Sequence, residues 1–318
     1  MTGRTILLTG AAGFIGSHTA EALLNRGDRV IGLDNFNEYY STAQKEANAQ
    51  ELAKYPQFKM KRGDIRDKPL LEEIFAEYQF DAVIHLAAMA GVRASVDAPE
   101  YYFDVNLNGT LLLLESAKRH GKPNFIFAST SSAYGRTKQI PFVETDTADR
   151  PLAPYPASKR AAEILGHAYH HMHQMDFTAV RFFTVYGPRN RPDMLPFLVM
   201  ENIRKGSQLT LYNDGQMHRD WTYVLDIVQG LVAAADKRTG YEIINLGRGK
   251  PVLLLDFVER LNQLSGKSGT WDSQPMPAAD VELTFANIDK ARSLLNYDPS
   301  VSMMEGTKQF FDWYEAQR

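Results

Sequence analysis

The sequence predicts an α/β fold, a doubly wound parallel sheet followed by a smaller mixed α/β portion. Three observations carry that expectation. A β-prone run at residues 5–9 feeds a glycine turn, Gly10-Ala-Ala-Gly13-Phe14-Ile15-Gly16, and then a helical pattern through Ala20, Leu23 and Leu24. Short apolar runs then alternate with helix-like runs as far as Phe182, the signature of repeated βα units. After Phe183 the rhythm breaks into turn-rich sequence, Gly187-Pro188-Arg189-Asn190-Arg191-Pro192-Asp193, and shorter elements.

Composition bounds the possibilities. At 318 residues the chain is long enough for about two domains, and 44% apolar with 23% charged residues is ordinary for a globular protein. A net charge of −3 offers no electrostatic footprint for nucleic acid or an anionic membrane. Cysteine is absent, which excludes disulfides, thiolate metal sites and cysteine nucleophiles and permits a reducing compartment. No apolar run approaches the roughly 18 residues of a membrane helix. Ile6-Leu7-Leu8 is too short for a signal-peptide core. A soluble, cytoplasmic protein is expected.

In chain order, the strand at 5–9, the glycine turn and the helix behind it form the context that a dinucleotide fingerprint requires. Gly10 permits the tight turn, Gly13 lets the backbone approach a pyrophosphate, and Gly16 allows close helix–strand packing. A second strand, 29–33, ends at Asp34, whose carboxylate can accept bonds from ribose hydroxyls and repels a 2′-phosphate. Asn35, Phe36 and Asn37 follow it instead of an arginine, so NAD is expected rather than NADP. Further strands are expected at 58–61, 82–86, 125–128 and 178–182, with helices near 70–78, at 101–120 and from Tyr155. Ligands on such a Rossmann-type sheet bind beyond the carboxyl ends of the strands. The candidate cofactor positions along the glycine turn and the strand ends are Gly10, Gly13, Phe14, Ile15, Gly16, Asp34, Asn35, Asp64, Ile65, Leu86, Ala87 and Ala88. Asp64, Ala87, Thr130 and Thr184 should surround one crevice. In the second half, helices are expected near 195–204 and at 225–235 and strands near 209–212 and 241–245, the last returning to the main sheet. The expected division is a cofactor domain at 1–183, with a returning segment near 221–247, and a substrate-binding cap mainly at 184–318.

Tyr155-Pro-Ala-Ser-Lys159 opens an amphipathic run. Residues four apart share a helix face, so the phenol and the ammonium should project together. A phenol has a reference pKa of about 10, and a nearby cation favours the phenolate, a working general base. Four histidines, His167, His170, His171 and His173, lie on the same run. With no cysteine nearby and Glu163 the one obvious carboxylate, a polar helix face is expected there and no metal. The Tyr101-Tyr102-Phe103 cluster and residues 111–114 read as core or helix–helix contact, and the mixed charges at 45–61 as a solvated face.

The glycine turn, Asp34, Asp64-Ile65, His85-Leu-Ala-Ala88, Thr130-Ser-Ser-Ala-Tyr-Gly135 and Tyr155-x-x-x-Lys159 together resemble the extended short-chain dehydrogenase/reductase superfamily. Within it, Gly91-Val-Arg93, the run from Arg181 to Met194 and Arg219-Asp-Trp-Thr-Tyr223 look most like UDP-glucuronate 4-epimerases. The resemblance covers essentially the whole chain. It implies a catalytic set of Thr130, Tyr155 and Lys159. Tyr155 would take the sugar hydroxyl proton as hydride passes to NAD, Lys159 would support it and hold the nicotinamide ribose, so that both also count as cofactor positions, and Thr130 would bond the reacting oxygen. It also implies a UDP-sugar substrate and a homodimer built on the helices beginning near Tyr101 and at Tyr155.

Three fates compete for a 4-keto sugar. Dehydratases of this superfamily place an Asp-Glu pair after the catalytic threonine, and uronate decarboxylases usually place a glutamate there. This chain has Ser131, Ser132 and Ala133, none of which is a general acid near neutral pH. Simple return of hydride is left. A 4-keto uronate also loses carbon dioxide readily, so its carboxylate must be held out of alignment. Arg191 offers a planar bidentate grip, with Ser131, Ser132 and Thr184 as hydrogen-bond donors; bracing of a loop, or a phosphate contact, is its other reading. By resemblance Arg93, Arg219 and Asp280 lie near the nucleotide diphosphate. Related epimerases often carry an arginine three positions before that aspartate, where this chain has Pro277. The expected reaction is NAD-dependent C4 epimerisation of UDP-glucuronate to UDP-galacturonate. Alternatives are a UDP-glucose/UDP-galactose 4-epimerase, a UDP-glucuronate decarboxylase, or a non-catalytic NAD-binding relative.

Overall fold

The computed structural model describes residues 3–317. Seven strands form one parallel sheet: β1 (Thr5–Thr9), β2 (Arg29–Asp34), β3 (Phe58–Arg62), β4 (Ala82–His85), β5 (Asn124–Thr130), β6 (Phe177–Phe182) and β7 (Tyr241–Leu246). Their order is β7-β6-β5-β4-β1-β2-β3, so the direction of growth reverses between β1 and β4. A crevice opens at such a reversal, beyond the carboxyl ends of the strands. Every residue of β4 and β5 is buried, as expected where helices cover both faces. The edge strand β3 carries Lys59, Lys61 and Arg62, charges that blunt an exposed edge.

Alternation along the strands sorts the core into two layers. Ile6, Leu8, Ile84, Ile126, Val180 and Ile244 face one side, where α1 (Phe14–Asn25) and a later helix, Val224–Asp236, pack with Leu23, Ile227 and Leu231. Leu7, Val83, Phe125, Phe127, Phe177 and Ala179 face the other. There α3 (Lys68–Glu77), α5 (Gly109–Arg119) and α6 (Pro154–His173) bring Leu71, Leu113 and Ala162. Between α1 and α3 lies α2 (Thr42–Leu52), which the sequence reading missed. The charges from Lys45 onward are not simply a solvated face, because α2 buries Lys45, Asn48, Ala49 and Leu52.

The helix expected at 101–120 begins earlier. A short α4 (Pro99–Phe103) runs through a π-helical turn, Asp104–Asn108, into α5. That turn aims Asn106 inward. Its amide accepts from Met89 N at 2.8 Å and donates to Met89 O and to Ser158 Oγ, each at 3.0 Å. One side chain thus ties the loop after β4 to α6.

Beyond β6 the small strands pair locally. Thr184–Tyr186 lies parallel to Trp221–Tyr223, His218–Arg219 antiparallel to Val252–Leu253, and Thr210–Tyr212 parallel to Asp272–Gln274. β7 returns to the main sheet beside β6, as the sequence suggested. Among the described residues no helix is long and apolar enough to cross a membrane.

Candidate active site

The glycine turn follows from close approach. Gly10 has φ +71°, and a Cβ there would stand 2.8 Å from Ala87 N; a Cβ on Gly16 would stand 2.0 Å from Gly10 O. Neither position tolerates a side chain. Gly13 caps α1 without a side-chain bond, so the first-turn N–H groups are left for an anion. A cradle that any Cβ would fill, under a helix N-terminus, suits a pyrophosphate.

The crevice holds about 1160 Å³ of space open to solvent. It brings together every residue expected to hold the cofactor: the glycine turn with Phe14 and Ile15, Asp34-Asn35, Asp64-Ile65, Leu86-Ala87-Ala88, Tyr155 and Lys159. Arg191 lines it too, as do Tyr39, Tyr40, Lys45 and Met89, which the sequence did not single out. Thr130, Ser131, Ser132, Thr184, Arg93, Arg219 and Asp280 lie outside its lining.

Asp34 is fixed by backbone donors, Ala12 N at 3.0 Å and Phe36 N at 2.9 Å, and burial pushes its carboxyl pKa up. Asp64 is already an ion pair. Arg66 and Asn35 donate to its carboxylate and hold its pKa down at about 2, so it can meet a ligand only as part of that cluster.

His85, quoted above only as part of a motif, is a buried pivot. Its Nδ1 lies 2.7 Å from Thr9 Oγ1 and its Nε2 3.0 Å from Thr110 Oγ1. Thr110 donates to Asn106 O, so its hydroxyl accepts from Nε2–H, and His85 is assigned as the neutral Nε2 tautomer. Burial holds its pKa well below the usual histidine range. Thr9 Oγ1 also accepts from Ala87 N, which fixes the loop beside Gly10.

Ala153 precedes α6, and Pro154 and Pro156 occupy its first turn, where a missing N–H costs little. Tyr155 and Lys159 therefore lie one turn apart at the start of a rigid helix, as expected. Their electrostatics differ from expectation. Burial pushes the Tyr155 phenol up, and the influences that draw it down are the Arg191 guanidinium and a hydrogen bond with Thr130. Lys159 is not among them. Its Nζ sits 4.3 Å from the centre of the Phe127 ring, buried, and desolvation brings its pKa down to about 7 against the opposing pull of Glu163. The cation that draws the phenol down belongs to a loop 36 residues further along the chain, beyond the reach of helix spacing.

Thr130 ends β5 and its hydroxyl caps the next turn by accepting from Ser132 N at 3.1 Å. Thr184 begins the next short strand. Arg191 binds Asp193 in a fork, Nε to Oδ1 and Nη2 to Oδ2, both at 2.9 Å. Arg219 donates to Asp280 at 2.8 Å, Arg93 reaches the same carboxylate at 3.6 Å, and the Arg93 guanidinium lies 4.2 Å over the Tyr212 ring. Asp280 thus has two arginine partners from distant segments. Three of the four α6 histidines have local partners: His167 packs against Tyr241, His173 against Tyr169, and His170 Nδ1 bonds Met175 O.

Known proteins place this arrangement. Residues 6–247 match the NAD dependent epimerase/dehydratase family. The chain is 44% identical over 308 residues to a UDP-glucuronate 4-epimerase of Thermodesulfobacterium geofontis, covering 96% of this chain and 95% of that one. A UDP-glucuronic acid 4-epimerase from Bacillus cereus, solved with UDP-glucuronic acid and NAD, superposes with a TM-score of 0.92 at 36% identity, covering 99% and 100% of the two chains. A UDP-glucose 4-epimerase from Thermotoga maritima, solved with UDP-glucose, gives 0.89 at 30% identity, covering 98% and 99%. With the family match spanning most of its length, the chain belongs to the NAD dependent epimerase/dehydratase family.

Proposed function

We propose that the protein is an NAD-dependent 4-epimerase that converts UDP-glucuronate to UDP-galacturonate. The observation that carries this reading is Arg191, a carboxylate-binding group that lines the cofactor crevice and acts on the Tyr155 phenol. The likeness to UDP-glucuronate 4-epimerases along the whole chain supports it.

When bound, NAD supplies a reversible hydride acceptor. Tyr155 takes the C4 hydroxyl proton as the C4 hydrogen leaves as hydride, and returns it once the keto sugar has presented its other face. Arg191 and Thr130 favour the phenolate against the cost of burial. Thr130 bonds the reacting oxygen, and Lys159 holds the nicotinamide ribose. The turn Ser131–Tyr134 carries no carboxylic acid, so dehydration lacks its general acid. Arg191 holds the uronate carboxylate away from the C4 ketone, while Ser131, Ser132 and Thr184 donate to the sugar. Arg93, Arg219 and Asp280 meet the nucleotide diphosphate, and residues 184–318, apart from the segment near 221–247, form the substrate cap.

Incubation with UDP-glucuronate and NAD, followed by NMR, should yield UDP-galacturonate without net NADH. UDP-xylose or a 4-keto-pentose as main product would overturn the proposal. Arg191→Ala should cost far more turnover with UDP-glucuronate than with UDP-glucose. Equal losses would favour the neutral-hexose alternative, to which the Arg191–Asp193 pair lends support.

The same reading includes a homodimer and a cytoplasmic location. Tyr101 and Phe103 on α4 and Ile164 and Met172 on α6 are exposed apolar side chains on neighbouring helices, which supports a second copy covering them. Sedimentation at the monomer mass would refute the dimer, and recovery from the membrane or extracellular fraction would refute the location.

A further inference from the structure

A guanidinium offers a carboxylate two bidentate edges, Nε with Nη2 and Nη1 with Nη2. In Arg191 the first edge is taken by Asp193, both bonds being 2.9 Å. The second Nη2 proton faces Met194 Sδ at 3.7 Å. Nη1 makes no hydrogen bond among the described residues, and Arg191 lines the crevice. The pair is braced on its other sides. The Tyr39 hydroxyl stands 3.4 Å from Asp193 Oδ2, the Tyr39 ring centre lies 5.8 Å from the guanidinium carbon, and Asn190 Oδ1 accepts from Arg191 N at 2.8 Å.

We infer that Asp193 is a positioning residue for epimerisation: it clamps the Nε–Nη2 edge of Arg191 so that Nη1 meets the uronate carboxylate at a fixed angle. This rests on the carboxylate-binding reading of Arg191. Its consequence concerns the competing reaction. In the 4-keto sugar, breaking C5–C6 releases carbon dioxide and leaves the electron pair in the enolate of the ketone, which then takes a proton at C5. That cleavage needs C5–C6 to stand parallel to the ketone π orbitals. A clamped guanidinium holds the carboxylate out of that alignment, whereas one free to swing lets it turn in. The Arg191–Asp193 pair also carries no net charge, so it grips by directed hydrogen bonds rather than by attraction in any orientation.

The test is the product ratio. Asp193→Asn keeps the shape and removes the second acceptor. With UDP-glucuronate it should raise the ratio of UDP-4-keto-pentose to UDP-galacturonate at least tenfold, while KM, Tm and bound NAD stay near wild type. Asp193→Glu, which restores a carboxylate, should bring the ratio back towards wild type. An unchanged ratio in Asp193→Asn, whether or not turnover falls, would overturn the inference. If Arg191→Ala raises the ratio and Asp193→Asn does not, only the clamp fails. If neither raises it, the carboxylate reading of Arg191 fails as well.

Discussion

Lys159 shows what a place in the crevice costs a single residue. Its ammonium is buried against Phe127 with a pKa near 7, below the value of about 10.4 for a free lysine. Between those two values the unfolded chain binds a proton that the folded chain does not. Stability should therefore rise with pH from about 7 towards 10. Lys159→Met keeps an apolar stem on the ring and removes the titration. The variant should lose at least about 100-fold in turnover, yet melt a few degrees higher than the wild type at pH 8 when both are free of nucleotide. Its stability should also be flatter over that pH range. Thermal melts from pH 7 to 10 would check this; a variant that melts lower would show that the buried charge is not a burden. The Tyr155–Lys159 spacing was legible because i,i+4 is a property of one helix. Arg191 as the cation that acts on Tyr155 was not, because no periodicity links the two.

At the scale of elements, α6 must lie directly on β6 to bring Tyr155 to the crevice. Gly166 makes that possible. A Cβ there would stand 2.3 Å from the Phe177 ring, which is stacked between Phe125 at 5.5 Å and Tyr241 at 6.1 Å and has no room to yield. Gly166→Val should lift the helix and cost about 1–3 kcal/mol in overpacking. Because the helix is rigid, kcat should fall with it, by roughly tenfold. Denaturant melts and steady-state rates would check both, and wild-type kcat in a destabilised variant would uncouple the helix position from chemistry. Within the amphipathic pattern Gly166 was only a weak helix former; its reason lies in a strand above it. The π turn at Asp104–Asn108 escaped for a similar cause, since composition does not mark an i→i+5 bond, and the purpose of Asn106 is visible only with Met89 and Ser158 beside it.

At the scale of the whole molecule, Asp220 joins segments far apart in the chain. Fully buried, it accepts from Arg248 N at 2.7 Å, Gly249 N at 2.9 Å and Ala286 N at 3.0 Å. It thereby holds the chain leaving β7 and the segment near Ala286 to the strand Trp221–Tyr223. Asp220→Ala would orphan three buried backbone N–H donors at about 1–3 kcal/mol each, so a loss of about 3 kcal/mol or more is expected. Asp220→Asn should lose roughly half as much, since one oxygen still accepts. Chemical denaturation would measure both; a loss under 1 kcal/mol for alanine would mean that water or relaxation satisfies those donors. The role of Asp220 was invisible in the sequence, where Arg219-Asp220 served only as part of a motif.

By itself the sequence determined the parallel sheet, its glycine turn, the acid ending β2, the helix that carries Tyr155 and Lys159, and the segments that form the crevice. Each is written in local spacing, through side-chain period, backbone sterics and the offset between residues on one helix. Tertiary structure alone decided the environment of those groups: the desolvation of Lys159, the neutral His85 and the fork that Asp193 makes with Arg191. Burial and charge depend on which distant segments pack around a residue, and that information is spread along the chain rather than held in any one stretch of it.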